Sequence, residues 1–107
     1  MICRIWHGWT FKENADAYET MIREEFFINI KKRNIVGYKG IQLLRRELPE
    51  STEFVIIMWF ETLGAVKIFA GEDYETPVIP VKARKLLSRF DPRSQHYEVK
   101  SEMNPLY

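Results

Sequence analysis

At 107 residues the chain has the length of one domain with a core of its own, and 46% hydrophobic and 29% charged residues match a globular protein. Sixteen basic and fifteen acidic residues leave a formal charge of +1, which excludes a partner recognised mainly by charge, such as nucleic acid or an anionic membrane. Cys3 is the only cysteine, and there is neither a signal-peptide pattern nor an apolar run of about 18 residues, so a reducing, cytoplasmic setting without a membrane span is expected.

Residues 2–10 alternate as a strand, with Ile2, Arg4 and Trp6 on one face and Cys3, Ile5, His7 and Trp9 on the other. The stretch "KENADAYETMIREEFFINIKKRN" predicts a helix. Asn14 stands as its N-cap, Asp16 and Glu19 lie early, and Lys31, Lys32 and Arg33 lie late, as the helix dipole favours. Ala15, Tyr18, Met21, Ile22, Phe26 and Ile30 recur at helical spacing and form one buried stripe. A second strand runs from the Gly37–Gly40 region to Glu47, "LPEST" turns, and "TEFVIIMWFE" is a third strand, apolar on both faces. Thr62 caps a short helix, "LGAVKIFAGE". After Pro77, a further helix is predicted over "PVKARKLLSRF", with Pro80 in its first turn. "SQHYEVK" is the fourth strand. Residues 1–100 then form a single domain and 101–107 a polar tail.

The order β-α-β-β-α-β, with the second helix in two pieces, is the ferredoxin-like plan: a four-stranded antiparallel sheet with helices on one face. Helices cover only one face, yet both faces of the third strand carry large apolar side chains. The bare face is expected to pair with that of a second copy, giving a homodimer. In this reading Phe54, Met58, Trp6, Ile41 and Leu43 belong to the dimer face, and Val55, Ile57 and Trp59 to the helix side.

A third strand ending in "MWFET", the following "LGAVKIFAGEDYE" and a closing "HYEV" together resemble the antibiotic biosynthesis monooxygenase family of the dimeric α+β barrel superfamily, over residues 2 to about 99. The resemblance implies oxidation of small aromatic or polyketide-like substrates without metal or flavin. The substrate itself reduces oxygen, and the protein supplies an apolar pocket between helices and sheet. Superfamily members without turnover make a dimeric binding or stress-response module the alternative. The haem-degrading branch is a further one; it uses an Asn, a Trp and a His, and of these only Trp59 is matched here. His7 stands near the Asn position, and "YETPVIPV" holds no His.

His7 is the catalytic candidate, because histidine is the side chain best suited to exchanging protons near neutral pH. Trp9, Trp59 and Tyr74 are the candidates for lining the substrate pocket. His96, on a strand expected beside the first, approaches His7 in this reading, but no further ligand with metal-binding spacing accompanies the two, so no metal is expected. Asp91 is read as an ion-pair partner of Arg89 at the end of the last helix. The "KKR" at 31–33 is read as a solvated helix end. No phosphate-binding loop, dinucleotide fingerprint or serine-nucleophile elbow is present.

Overall fold

Alternation, helical periodicity and caps together account for most of the element boundaries seen in the structure, a computed structural model that describes residues 1–103. Of the predicted tail, residues 104–107 lie outside the described residues. The strands are β1 (Ile2–Thr10), β2 (Tyr38–Glu47), β3 (Thr52–Phe60), β4 (Leu87–Phe90) and β5 (Gln95–Glu98). The helices are α1 (Ala15–Met21), α2 (Phe27–Arg33), α3 (Leu63–Ala70) and α4 (Val81–Leu86). The sheet is antiparallel, in the order β2-β3-β1, with β4 and β5 both beside β1. The ferredoxin-like α+β plan is therefore present.

α1 and α2 are one helical rod joined by a π turn, Ile22–Phe26. The predicted stripe explains the turn. Tyr18, Ile22, Phe26 and Ile30 follow one another in steps of four, and each step overshoots a 3.6-residue turn by about 40°. A locally wider turn absorbs the excess, so all four stay on the face that meets the sheet. Each is buried. The predicted cap at Asn14 does not form: its side chain makes no capping bond, and its Nδ2 instead donates to the Leu86 carbonyl at 3.5 Å. Thr62 does cap α3, its Oγ1 accepting from the Ala65 amide at 3.1 Å.

Two corrections bear on the site. The predicted helix over residues 80–90 ends at Leu86, and 87–90 form β4. Leu87 pairs with Thr10 and Phe90 with Gly8, and a bulge between these pairs turns both apolar side chains toward the core although they are three residues apart. Arg89 therefore lies on a strand with its guanidinium 3.9 Å from the centre of the Trp9 ring, and the Asp91 carbonyl is used by Trp6.

The second correction is one of parity. Phe54, Ile56, Met58 and Phe60 of β3 are buried against the helices, as are Trp6 of β1 and, in part, Ile41 and Leu43 of β2. His7, Trp9, Val55, Ile57 and Trp59 are on the opposite, uncovered face. The two faces of the sheet are thus exchanged relative to the sequence reading. Gly8 makes the exchange possible in β1. A Cβ there would lie 2.9 Å from the Trp6 ring, which lies across this position on its way into the core.

Candidate functional site

The helix side of the sheet carries a cavity where β1 passes beneath the connection between α3 and α4. Arg4 and Trp6 are successive helix-side residues of β1, and Met58 and Ile56 are their partners on β3. Phe26 of the π turn, Phe69 of α3, and Pro77 and Val78 of the connection close the space from above, and Ser94 enters it from the gap between β4 and β5. The enclosed part is about 20 Å³, room for about one water-sized group. Beside it, sharing Phe26, Phe69 and Val78, a groove of about 230 Å³ runs between α2 and the connection, lined further by Asn29, Ile30, Arg33, Ile79 and Pro80.

Arg4 fastens this roof. Its Nη1 donates to the Tyr74 carbonyl and contacts His96 Nε2 at 2.9 Å, and its Nη2 donates to the Thr76 carbonyl at 3.0 Å. The Ser94 amide adds a bond to the Glu75 carbonyl at 2.7 Å, and Arg93 holds Asp73 and Glu75 from the surface. Burial pulls the Arg4 pKa down to about 10, still high enough to keep the charge at neutral pH. Burial, and then the Arg4 charge, lower His96 to about 4, so the ring is neutral. A neutral ring whose Nε2 accepts from Arg4 carries its proton on Nδ1, and that atom is buried without a partner among the described residues. The His96 ring packs edge-on to Tyr74, with centroids 5.1 Å apart.

This arrangement gives a stability signature. An unfolded histidine gains its proton near pH 6.5, whereas His96 in the fold resists protonation until about pH 4. Stability is therefore complete above about pH 6.5 and falls as the pH drops toward 4. Because the ring is only partly buried, the expected loss is about 1–2 kcal/mol rather than the full value of the shift. Urea midpoints measured at pH 7.5 and pH 5 test it. The wild type is expected to lose more than His96→Gln, which keeps an acceptor for Arg4 but cannot titrate.

The sequence candidates divide between the two faces. His7, Trp9 and Trp59, expected beside the helices, stand on the uncovered face. His7 Nδ1 lies 3.0 Å from Glu53 Oε2, and Arg46 takes the other carboxylate oxygen. Together His7 and then Arg46 hold the Glu53 carboxyl below its usual range. Trp59 Nε1 donates to Gln42 at 3.4 Å. Tyr74 alone of the four is on the helix side, where its carbonyl accepts from Arg4 and its ring packs on His96, but it does not line the cavity. His7 and His96 are on opposite faces and do not approach one another. Among the described residues no three His, Cys, Asp or Glu side chains are grouped to hold a metal ion.

The sequence reading missed Arg4 and Ser94. The available signal was an arginine in the middle of an otherwise apolar strand, at the same parity as a tryptophan.

The overall geometry is shared with a known structure. A crystal structure from Bacillus cereus, provisionally named an antibiotic biosynthesis monooxygenase, superposes with a TM-score of 0.69 over 97% of each chain, at 13% sequence identity. The two proteins have the same fold. At that identity the likeness shows the fold alone, and it agrees with the resemblance seen in "MWFET" and "HYEV". No family model and no curated protein matches the sequence. Among the described residues no helix is long and apolar enough to cross a membrane.

Proposed function

We propose that the protein is a monooxygenase without metal or flavin, acting on a small aromatic or polyketide-like substrate held in the groove that adjoins the helix-side cavity. The observation that carries this reading is the groove of about 230 Å³ that adjoins the cavity, walled by Phe26, Ile30, Phe69, Val78 and Ile79, in the fold of the B. cereus protein. Such walls bind a flat apolar ring and keep water from it, while the substrate supplies the electrons that reduce dioxygen. The working unit is a homodimer in the cytoplasm. Its interface is the face bearing Ile5, Val55, Ile57, Trp59 and Leu44, an apolar surface that nothing covers among the described residues. His7, Trp9 and Trp59 then meet the partner subunit rather than the substrate. A His7 general base has no place in the cavity.

The removal of His7 from the cavity favours a second reading, a dimeric module that binds an apolar ligand without turnover. Oxygen uptake separates the two. With hydroxylated aromatics, a chelator present and no flavin added, uptake above the uncatalysed rate is expected, and it is abolished by Val78→Trp, which fills the groove from its rim. Ring compounds that bind without oxygen uptake would establish the binding module instead. A Soret shift on adding haem would replace both readings with haem binding.

A further inference from the structure

Among the described residues the guanidinium of Arg4 lacks the counter-charge that a buried cation normally has. Arg4 is 3% exposed, yet among the described residues it forms no ion pair. Its partners, the carbonyls of Tyr74 and Thr76 and the neutral ring of His96, carry no charge. The Phe69 ring lies 5.4 Å from it. Buried charges are ordinarily neutralised by a partner, because desolvation is costly. The three bonds leave two of its five N–H groups, on Nε and Nη2, without a partner among the described residues.

Ser94 presents a second unmet need in the same space. The residue is 2% exposed, lines the cavity with Arg4, and has a hydroxyl without a hydrogen-bond partner among the described residues. Buried hydroxyls are nearly always bonded. The shape of the space adds a third observation. The part bounded by Arg4 and Ser94 has about 20 Å³, and the adjoining groove, apolar except for Asn29 and for Arg33, which donates to the Ile68 and Phe69 carbonyls, about 230 Å³. The result is a largely apolar slot ending in a polar recess the size of one oxygen-bearing group.

We propose that Arg4 and Ser94 bind an anionic oxygen (a carboxylate, phenolate or enolate) carried on an apolar ring or chain that occupies the groove. Arg4 supplies the charge and two N–H groups, and Ser94 supplies a hydroxyl. His96 is a positioning residue. By accepting from Nη1 it turns the guanidinium, and by staying neutral it leaves the positive charge for the ligand. The assignment rests on reading the cavity as a ligand site and specifies the ligand's charge.

Calorimetric titration with 1-naphthoate and with its neutral isostere 1-naphthamide tests it in the full-length protein. A charge-assisted bond corresponds to a preference of about 10- to 100-fold for the acid. Ser94→Ala is expected to lower that ratio by about three- to tenfold, as for one lost hydrogen bond, and Arg4→Gln to abolish it while amide binding persists. A nitrophenol, followed by its absorbance across its ionisation, reports the phenolate arm, and bound nitrophenol should ionise at lower pH than free. Preference for naphthoate alone, or for nitrophenolate alone, supports the proposal and names the oxygen group. Equal binding of acid and amide together with an unshifted nitrophenol overturns it and leaves an apolar pocket. So does an unchanged acid-to-amide ratio in Ser94→Ala, which decides the matter even if Arg4→Gln fails to fold. If none of the probes binds, the cavity reading falls as well.

Discussion

A Phe54→Asp variant is expected not to fold, whereas Ile57→Asp is expected to fold and to turn a dimer into a monomer. The two positions are three residues apart on β3 but on opposite faces. Phe54 is 0% exposed, its ring centre is 4.7 Å from that of Tyr18, and Arg45 lies over it. Cutting back such a ring costs about 3–5 kcal/mol. Burying a carboxylate in its place adds several more, and the sum reaches the whole stability of a typical domain, about 5–15 kcal/mol. Arg45 offers little rescue, because it is already engaged by Asp16, Glu19 and Glu47 at the surface. Ile57 is only half buried in the single chain. A carboxylate there reaches water in the monomer, at a cost of about 0.5 kcal/mol or less, but is trapped between two sheets in the dimer. Circular dichroism and light scattering read the two effects separately. A folded, monomeric Phe54→Asp together with an unfolded Ile57→Asp would show that the helices cover the other face.

The sequence showed the elements apart from β4, but not which side of the sheet they cover. Period-two alternation sorts β3 into two sets, and both sets are apolar enough to be core. The deciding signals were small and conflicting. Glu53 shares its parity with Val55, Ile57 and Trp59, and Gln42 and Arg46 mark the matching face of β2, but Arg45, Glu47 and Thr52 stand on the helix-side parity, so the polar residues do not mark one face cleanly. β1 adds to the conflict, because Arg4 shares the parity of Trp6, and an arginine on a strand ordinarily faces water. Only the Tyr74–Thr76 connection, which folds back and presents its carbonyls to the guanidinium, makes an inward arginine tolerable. That contact spans about seventy residues, and no local pattern encodes it. The boundary at Leu86 was hidden for a related reason. "KLLSRF" is compatible with a helix, and the pairing of Leu87 and Phe90 with β1 overrides that local preference. The helical stripe from Ala15 to Ile30 was fully legible, because its signal is the spacing itself.

The same exchange of faces reverses the expected order of the tryptophans. Trp59 was expected as pocket wall and Trp6 as dimer contact. In the fold Trp6 is 6% exposed, its Nε1 donates to the Asp91 carbonyl at 2.9 Å, and its ring lies 6.2 Å from that of Phe90. Trp6→Ala therefore removes a cavity wall, a core ring and the tie to the β4–β5 gap in one change. A loss of about 3–5 kcal/mol is expected, which corresponds to a fall in Tm on the order of 15 °C for a domain of this size. Trp6→Phe retains most of the packing but leaves the Asp91 carbonyl without its donor, and about 1–2 kcal/mol is expected. Trp59→Ala acts on a half-buried ring of the uncovered face. Its cost to the folded single chain is expected to be about 1 kcal/mol, and its main effect is weaker association. Thermal melts at several protein concentrations distinguish the cases: the Trp6→Ala deficit should persist at every concentration, and the Trp59→Ala deficit should grow as the protein is diluted through its dissociation range. A concentration-independent loss at Trp59 larger than that at Trp6 would return Trp59 to the core and the cavity to the other face.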